Sequence, residues 1–257
     1  MKLLQRSVFT LLIVSLPSFA ANKTNDSFRK AKKILETDVY QNHRITLYCG
    51  ASFDAQKNII PPKGFYTDKY VKRSQKNEWE HVVPAENFGR TFKEWREGDK
   101  QCVTSKGKSF KGRKCAEKVN TEYRYMQADM FNLYPAVGAV NGLRSNYNFT
   151  MLPNKKSNFG SCEMKIDNRK TEPPVRARGR IARTYMYMED TYPRYKMNNS
   201  QRQLMNAWNK MYPVSEWECM RAGKIAILQG NENLVLKRAC SQVRNAQIVA
   251  QKNTAIL

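Results

Sequence analysis

A carboxylate and an imidazole stand side by side at Glu80-His81, within the run Glu78-Trp79-Glu80-His81-Val82-Val83-Pro84-Ala85. The chain holds only two histidines in 257 residues. A glutamate supplies a hard oxygen ligand for a divalent cation. A neutral imidazole, with an ordinary pKa of about 6.5, takes a proton from water near neutrality. Side by side in one small loop they predict metal-assisted hydrolysis, with His81 as general base and Glu80 as metal ligand. The other histidine, His43, lies in the polar connector Gln41-Asn42-His43-Arg44 and is expected at a surface turn. With no HExxH pair and two histidines in all, a zinc protease is a poor fit.

Such a pair acts only if neighbouring elements aim it. Glu78 to Val83 has strand character, and Tyr123 to Tyr134 reads as a second strand ending in polar side chains. Pro135 is placed at a first helical turn, where its missing N–H costs nothing. Val137, Val140, Leu143 and Arg144 then follow at helical spacing, which puts Asn141 near the middle of the helix. Strand, loop, strand and helix in that order can turn the Asn141 amide oxygen toward the point that Glu80 faces. Elsewhere Ser27 is expected to cap a helix carrying Ala31, Ile34 and Leu35, and Ile45 to Cys49 to form a strand. Asp54 to Gly64 is expected as loop, with Pro61-Pro62 excluding regular structure. Ser200 is expected to cap a helix through Leu204, Met205 and Trp208, and Ser215-Glu216-Trp217-Glu218 to open another that runs to Gly230. Tyr185, Tyr187, Tyr192 and Tyr195 are expected in the core.

Residues 1–20 read as a secretion signal: Lys2 and Arg6 are basic, Ser7 to Leu16 is mostly apolar, and cleavage is expected after Ala20. No stretch approaches the roughly 20 apolar residues of a membrane span. The expected location is therefore periplasmic or secreted. Six cysteines, at 49, 102, 115, 162, 219 and 240, include no CxxC pair, which favours three disulfides over a zinc cluster. Fifteen connectivities are open. Nearest-neighbour closure suggests Cys102 with Cys115 and Cys219 with Cys240, leaving Cys49 with Cys162. The chain carries 45 basic and 22 acidic residues, a formal +23, and loss of Lys2 and Arg6 with the leader leaves +21. A field of that sign gathers polyanions without reading their sequence. Lys106, Lys108, Lys111, Arg113 and Lys114 crowd the segment between Cys102 and Cys115, and Arg169, Lys170, Arg176, Arg178, Arg180 and Arg183 surround Pro173-Pro174. The second run could track a phosphate backbone. A non-catalytic cationic binder of nucleic acid or envelope polyanions explains the charge as well. It leaves unexplained why Glu80, His81, Arg113 and Asn141 occur together.

Several motifs taken in order carry a resemblance. They are Glu78 to Ala85, Gly112-Arg113-Lys114 before Cys115, Asn132-Leu133, Val140-Asn141-Gly142 with Arg144-Ser145-Asn146, Ile181 to Tyr185, and Ala207 to Pro213 followed by Trp217-Glu218-Cys219. Over roughly residues 27–242 the chain resembles the bacterial endonuclease I family of periplasmic or secreted non-specific nucleases. The resemblance implies one α+β domain, residues 21–257 after the leader, built around a ββα-metal motif and stabilised by disulfides. It implies one Mg2+, with Mn2+ or Ca2+ as substitutes, held by Glu80 and Asn141. It also implies His81 as base, Arg113 as a clamp on the cleaved phosphate, and Asn132 as the residue that holds the catalytic loop. The implied substrate is DNA, with RNA a second one, cut to 5′-phosphate products by a monomer. Arg144, Arg176, Arg178 and Arg180 are the expected nucleic-acid contacts. The chain departs from the pattern at Gln127, where a Glu is common, at Phe131, where a His is common, and at Cys49-Gly50-Ala51, where Cys-Gly-Cys is expected.

Overall fold

Helix α1 (Phe28–Ile34) begins where Ser27 Oγ accepts the Lys30 N–H at 3.2 Å, as the sequence predicts. It widens into a π-helical turn, Leu35–Val39, that buries Leu35 and Val39. The computed structural model describes residues 21–243, and the expected leader lies outside them. Ile45 to Cys49 is not a strand. Ile45 makes one bridge, to Ser52, and the chain reverses so that Thr46 N–H donates to Ala51 O. Gly50 supplies the left-handed φ of +64° which that reversal needs. Within the expected loop, β1 (Ser52–Phe53) and β2 (Ile59–Ile60) pair as a small antiparallel hairpin.

After the short helix α2 (Val71–Ser74) comes β3 (Asn77–His81), then α3 (Ala85–Gly89), α4 (Lys93–Arg96), α5 (Arg113–Val119) and α6 (Thr121–Gln127). A 3-10 turn at Met130–Asn132 leads into β4 (Leu133–Val137), which is followed at once by α7 (Gly138–Arg144). The stretch expected as a second strand is therefore mostly helix. Asn120 accepts the Tyr123 N–H at 2.9 Å and starts α6, burying Tyr123, Met126 and Gln127 at helical spacing. A local cap outweighs the strand preference of an aromatic run. Pro135 sits inside β4 rather than opening a helix. The sheet has only two strands, so a proline lacking an N–H is tolerated on the free side. β3 and β4 run antiparallel, with Trp79 opposite Pro135 and Glu80 opposite Tyr134.

The remaining elements form the support. β5 (Asn148–Phe149), β6 (Lys165–Asp167) and β7 (Lys170–Glu172) make a small three-stranded sheet in the order β5-β7-β6. Helix α8 (Val175–Thr191) packs along α9 (Asn199–Met211), and at Gly179 an added Cβ would lie 2.5 Å from Tyr212 O. Asn198, not Ser200, caps α9 by accepting the Gln201 N–H at 2.8 Å. Ser215 caps α10 (Glu216–Gln229) as predicted, but Glu218 turns to Arg183 instead of closing the capping box. The expected core tyrosines 185, 187, 192 and 195 are all buried in one hydrophobic cluster. All three disulfides take the suggested pairing: Cys49 with Cys162, Cys102 with Cys115 and Cys219 with Cys240. The fold is thus a mixed α+β domain, predominantly helical, wrapped around the β3-β4 pair. Among the described residues no helix is long and apolar enough to cross a membrane.

Candidate active site

His81 is the last residue of β3, and the loop after it is held by Asn132, which is fully buried. Val83 N–H donates to Asn132 Oδ1 at 2.7 Å, Asn132 Nδ2 donates to Val83 O at 2.9 Å, and Val82 N–H donates to Asn132 O. A side-chain amide that uses both ends on the backbone of one residue sets the direction in which the chain leaves the strand. Asn132 precedes β4 instead of ending a strand. His81 Nε2 lies 2.8 Å from the Gln127 carbonyl. A carbonyl only accepts, so Nε2 carries the proton and Nδ1 keeps its lone pair. Phe28 of α1 packs on the imidazole, ring centroids 4.8 Å apart. Burial, and next the Arg113 cation, push the imidazole down to about 3. The unfolded chain protonates this histidine near 6.5, so folding stability falls as pH drops from there toward 3, and the contribution is complete above.

Two carboxylates project toward α7. Residues two apart on a strand share a face, and residues three apart on a helix do likewise, so Glu78 meets Asn141 while Glu80 meets Arg144. Glu80 is 2 % exposed. Its Oε1 accepts from Tyr48 Oη at 2.7 Å and from Arg144 Nη1 at 2.7 Å, and no described residue donates to Oε2. Burial pushes the Glu80 carboxyl upward, against the pull of Arg144 and the Tyr48 hydroxyl. Arg144, expected on a nucleic-acid surface, is 0 % exposed and also donates to the carbonyls of His81 and Val82. It is a buried brace under the strand end and cannot touch a polymer. Asn141 Nδ2 donates to Glu78 Oε2 at 2.8 Å.

Arg113 opens α5, two residues before Cys115, and leans over the Phe28 ring at 5.2 Å. Its Nε donates to Gln127 Oε1 at 2.8 Å, and its buried Nη2 has no partner among the described residues. Gln127 thus supplies a neutral acceptor where a glutamate would supply a countercharge. Gln127→Glu is expected to raise the His81 pKa toward its ordinary value, because the new carboxylate offsets the Arg113 field. Imidazole NMR titration reads this directly, and an unmoved pKa would leave burial as the sole cause.

Glu80, His81, Arg113 and Asn141 line one cleft, together with Phe28, Trp95 and Asn146. A carboxylate oxygen free of donors, an amide oxygen turned away from Glu78 and an open cleft suit a hard cation that keeps several waters. Among the described residues no three of His, Cys, Asp and Glu gather as a ligand cluster, so this oxygen pair is the donor set on offer. The cleft adjoins a groove lined by Arg29, Lys32 and Lys33 of α1; the sequence puts Lys32 and Lys33 on the polar sides of that helix but gives them no binding role. Their spacing on one short helix was the available signal. The expected run near Pro173-Pro174 divides. Arg178 pairs with Glu172 at 2.7 Å, Arg176 is exposed but donates to Thr46 O, and Arg183 is buried against Glu218. Arg180 is half-buried and lines neither the cleft nor the groove. His43 stacks on Trp217 at 3.8 Å, outside the cleft.

A family model described as Endonuclease I matches residues 23–240. An extracellular deoxyribonuclease of Aeromonas hydrophila is 37% identical over 241 residues, covering 91% of this chain and 97% of its own. A periplasmic deoxyribonuclease of the same organism is 37% identical over 236 residues, covering 89% and 92%. Endonuclease-1 of Buchnera aphidicola subsp. Acyrthosiphon pisum is 37% identical over 231 residues, covering 87% and 85%.

Proposed function

The chain belongs to the endonuclease I family, and on that premise we propose that it is a periplasmic or secreted endonuclease that hydrolyses DNA without sequence preference. β3, β4 and α7 are read as the ββα-metal unit. The observation that carries the reading is the tautomer of His81: with Nε2–H given to the Gln127 carbonyl, Nδ1 is a fixed acceptor in a cleft that also holds two hard oxygen donors. Nδ1 takes the proton of a water beside the scissile phosphate. The Arg113 guanidinium, which lines the cleft, meets the phosphate oxygens and holds them in line. Glu80 Oε2 and Asn141 Oδ1 would hold one Mg2+, with Mn2+ or Ca2+ as substitutes. When bound, that ion would offset charge on the phosphate and on the departing 3′ oxygen, and the products would carry 5′-phosphates. Asn132 keeps the His81 loop in register while this happens.

None of these groups reads a base edge, so cleavage is expected on any DNA sequence and on RNA. Arg29, Lys32, Lys33 and Arg113 would carry the incoming phosphate backbone, with the overall charge drawing it in. Binding by a monomer should weaken steeply with salt, at a log-log slope of roughly −0.9 for each phosphate neutralised. The direct test is conversion of supercoiled plasmid to nicked and linear forms by the oxidised protein. Cutting is expected with Mg2+, and none with EDTA. Tight, salt-sensitive binding with no cutting under either condition would replace this reading with a non-catalytic polyanion binder.

A further inference from the structure

We propose that Glu78, held by Arg73, is a positioning residue that orients the Asn141 amide so that its oxygen, not its nitrogen, faces the cleft. The proposal rests on the reading of Asn141 as a metal ligand. The two ends of an asparagine amide are nearly the same size, and only the oxygen binds a cation. Something must therefore choose between two orientations. A carboxylate accepts and does not donate, so the 2.8 Å contact from Asn141 to Glu78 Oε2 has to be made by the NH2 group, and Oδ1 is turned the other way. The Arg73 guanidinium sets the direction of Glu78 by taking both its oxygens: Nε donates to Oε1 at 2.8 Å and Nη2 to Oε2 at 2.6 Å.

Helix α7 is shaped to admit this pair. A Cβ at Gly138 would stand 2.5 Å from Arg73 O and 2.8 Å from Glu78 Oε1, and one at Gly142 would overlap the Arg73 guanidinium, 2.8 Å from Cζ. Neither glycine has a positive φ, so space and not backbone freedom accounts for them. Each glycine weakens a helix. The ion pair they seat is 41 % and 30 % exposed, too open to add much stability. Orientation of the amide between them accounts for both.

The test is the affinity of the oxidised protein for Mn2+, read by electron paramagnetic resonance without substrate, beside the melting temperature of the metal-free form. Glu78→Leu is expected to weaken Mn2+ binding by about tenfold or more, the usual effect of removing an outer partner of a ligand. Arg73→Met, on a more exposed side chain, should weaken it less and in the same direction. It also serves as the informative variant if Glu78→Leu melts early. Adding Asn141→Asp to Glu78→Leu should restore binding, since a carboxylate presents an oxygen whichever way it turns. The same Asn141→Asp change with Glu78 in place should weaken binding by setting two carboxylates face to face. A loss that follows from general damage would not be restored in this way. If Asn141→Ala abolishes Mn2+ binding while Glu78→Leu and Arg73→Met leave it intact, the positioning role is wrong and the ligand reading stands. If Asn141→Ala itself leaves binding intact, the ligand reading fails and takes this inference with it.

Discussion

His81→Ala is expected to cut plasmid cleavage by about a hundred- to ten-thousand-fold, the range over which a positioned base contributes, while DNA binding in EDTA persists. The imidazole is held at both ends of its function. Its Nε2–H is anchored on the Gln127 carbonyl, its face is covered by Phe28, and its loop is clamped by Asn132. Removing it leaves the phosphate-binding groups in place and takes away the acceptor for the water proton. Because burial and Arg113 hold this group down to about 3, Nδ1 is free throughout the range in which an ordinary histidine titrates. The acid side of the kcat/KM profile should then show no break near 6.5. Equal cutting by His81→Ala would move the base to another group, whereas a break at 6.5 in the unaltered protein would show that the imidazole titrates at its ordinary value during turnover.

Arg144→Met should be the most destabilising single change near the site. The guanidinium is fully buried and bonds Glu80 and the carbonyls of His81 and Val82. Truncating one member of a buried pair strands the other and typically costs about 3–5 kcal/mol. For a chain of this size that corresponds to a fall of roughly 10 °C in melting temperature. Glu80, left without its brace, should also become easier to protonate, so remaining activity should fall away at a higher pH than in the unaltered protein. A melting temperature within a degree or two of the parent would show that the buried pair is replaceable by apolar packing at this position.

The features legible in the sequence were those with local causes. Ser27 and Ser215 announce helix starts because the cap and the N–H that it satisfies lie three residues apart. The Glu80-His81 pair is legible because it is contiguous, and the helix carrying Asn141 because of Val140 and Leu143, although Val137, expected in the same helix, ends β4 instead. Tyr123 to Tyr134 was misread because its aromatic residues favour strands, whereas the deciding contact is a single asparagine cap at Asn120. Arg144 was placed on the surface for a different reason. Nothing near it in sequence reveals that its carboxylate partner is 64 residues away. The sequence does not mark out Glu78 from the rest of its Glu-Trp-Glu run, since its role depends on Arg73 and on two glycines of α7.

The brace under Glu80 joins residues 80 and 144, the loop clamp joins 83 and 132, and one cross-link ties 49 to 162. An unfolded chain possesses none of these junctions, so the cleft comes into being only with the finished fold. For a cell that makes a DNA nuclease destined for the periplasm or the medium, that order of events would guard its own genome. Exported before it folds, the polypeptide would cross the compartment that houses the genome as a harmless string and become dangerous only once it has left.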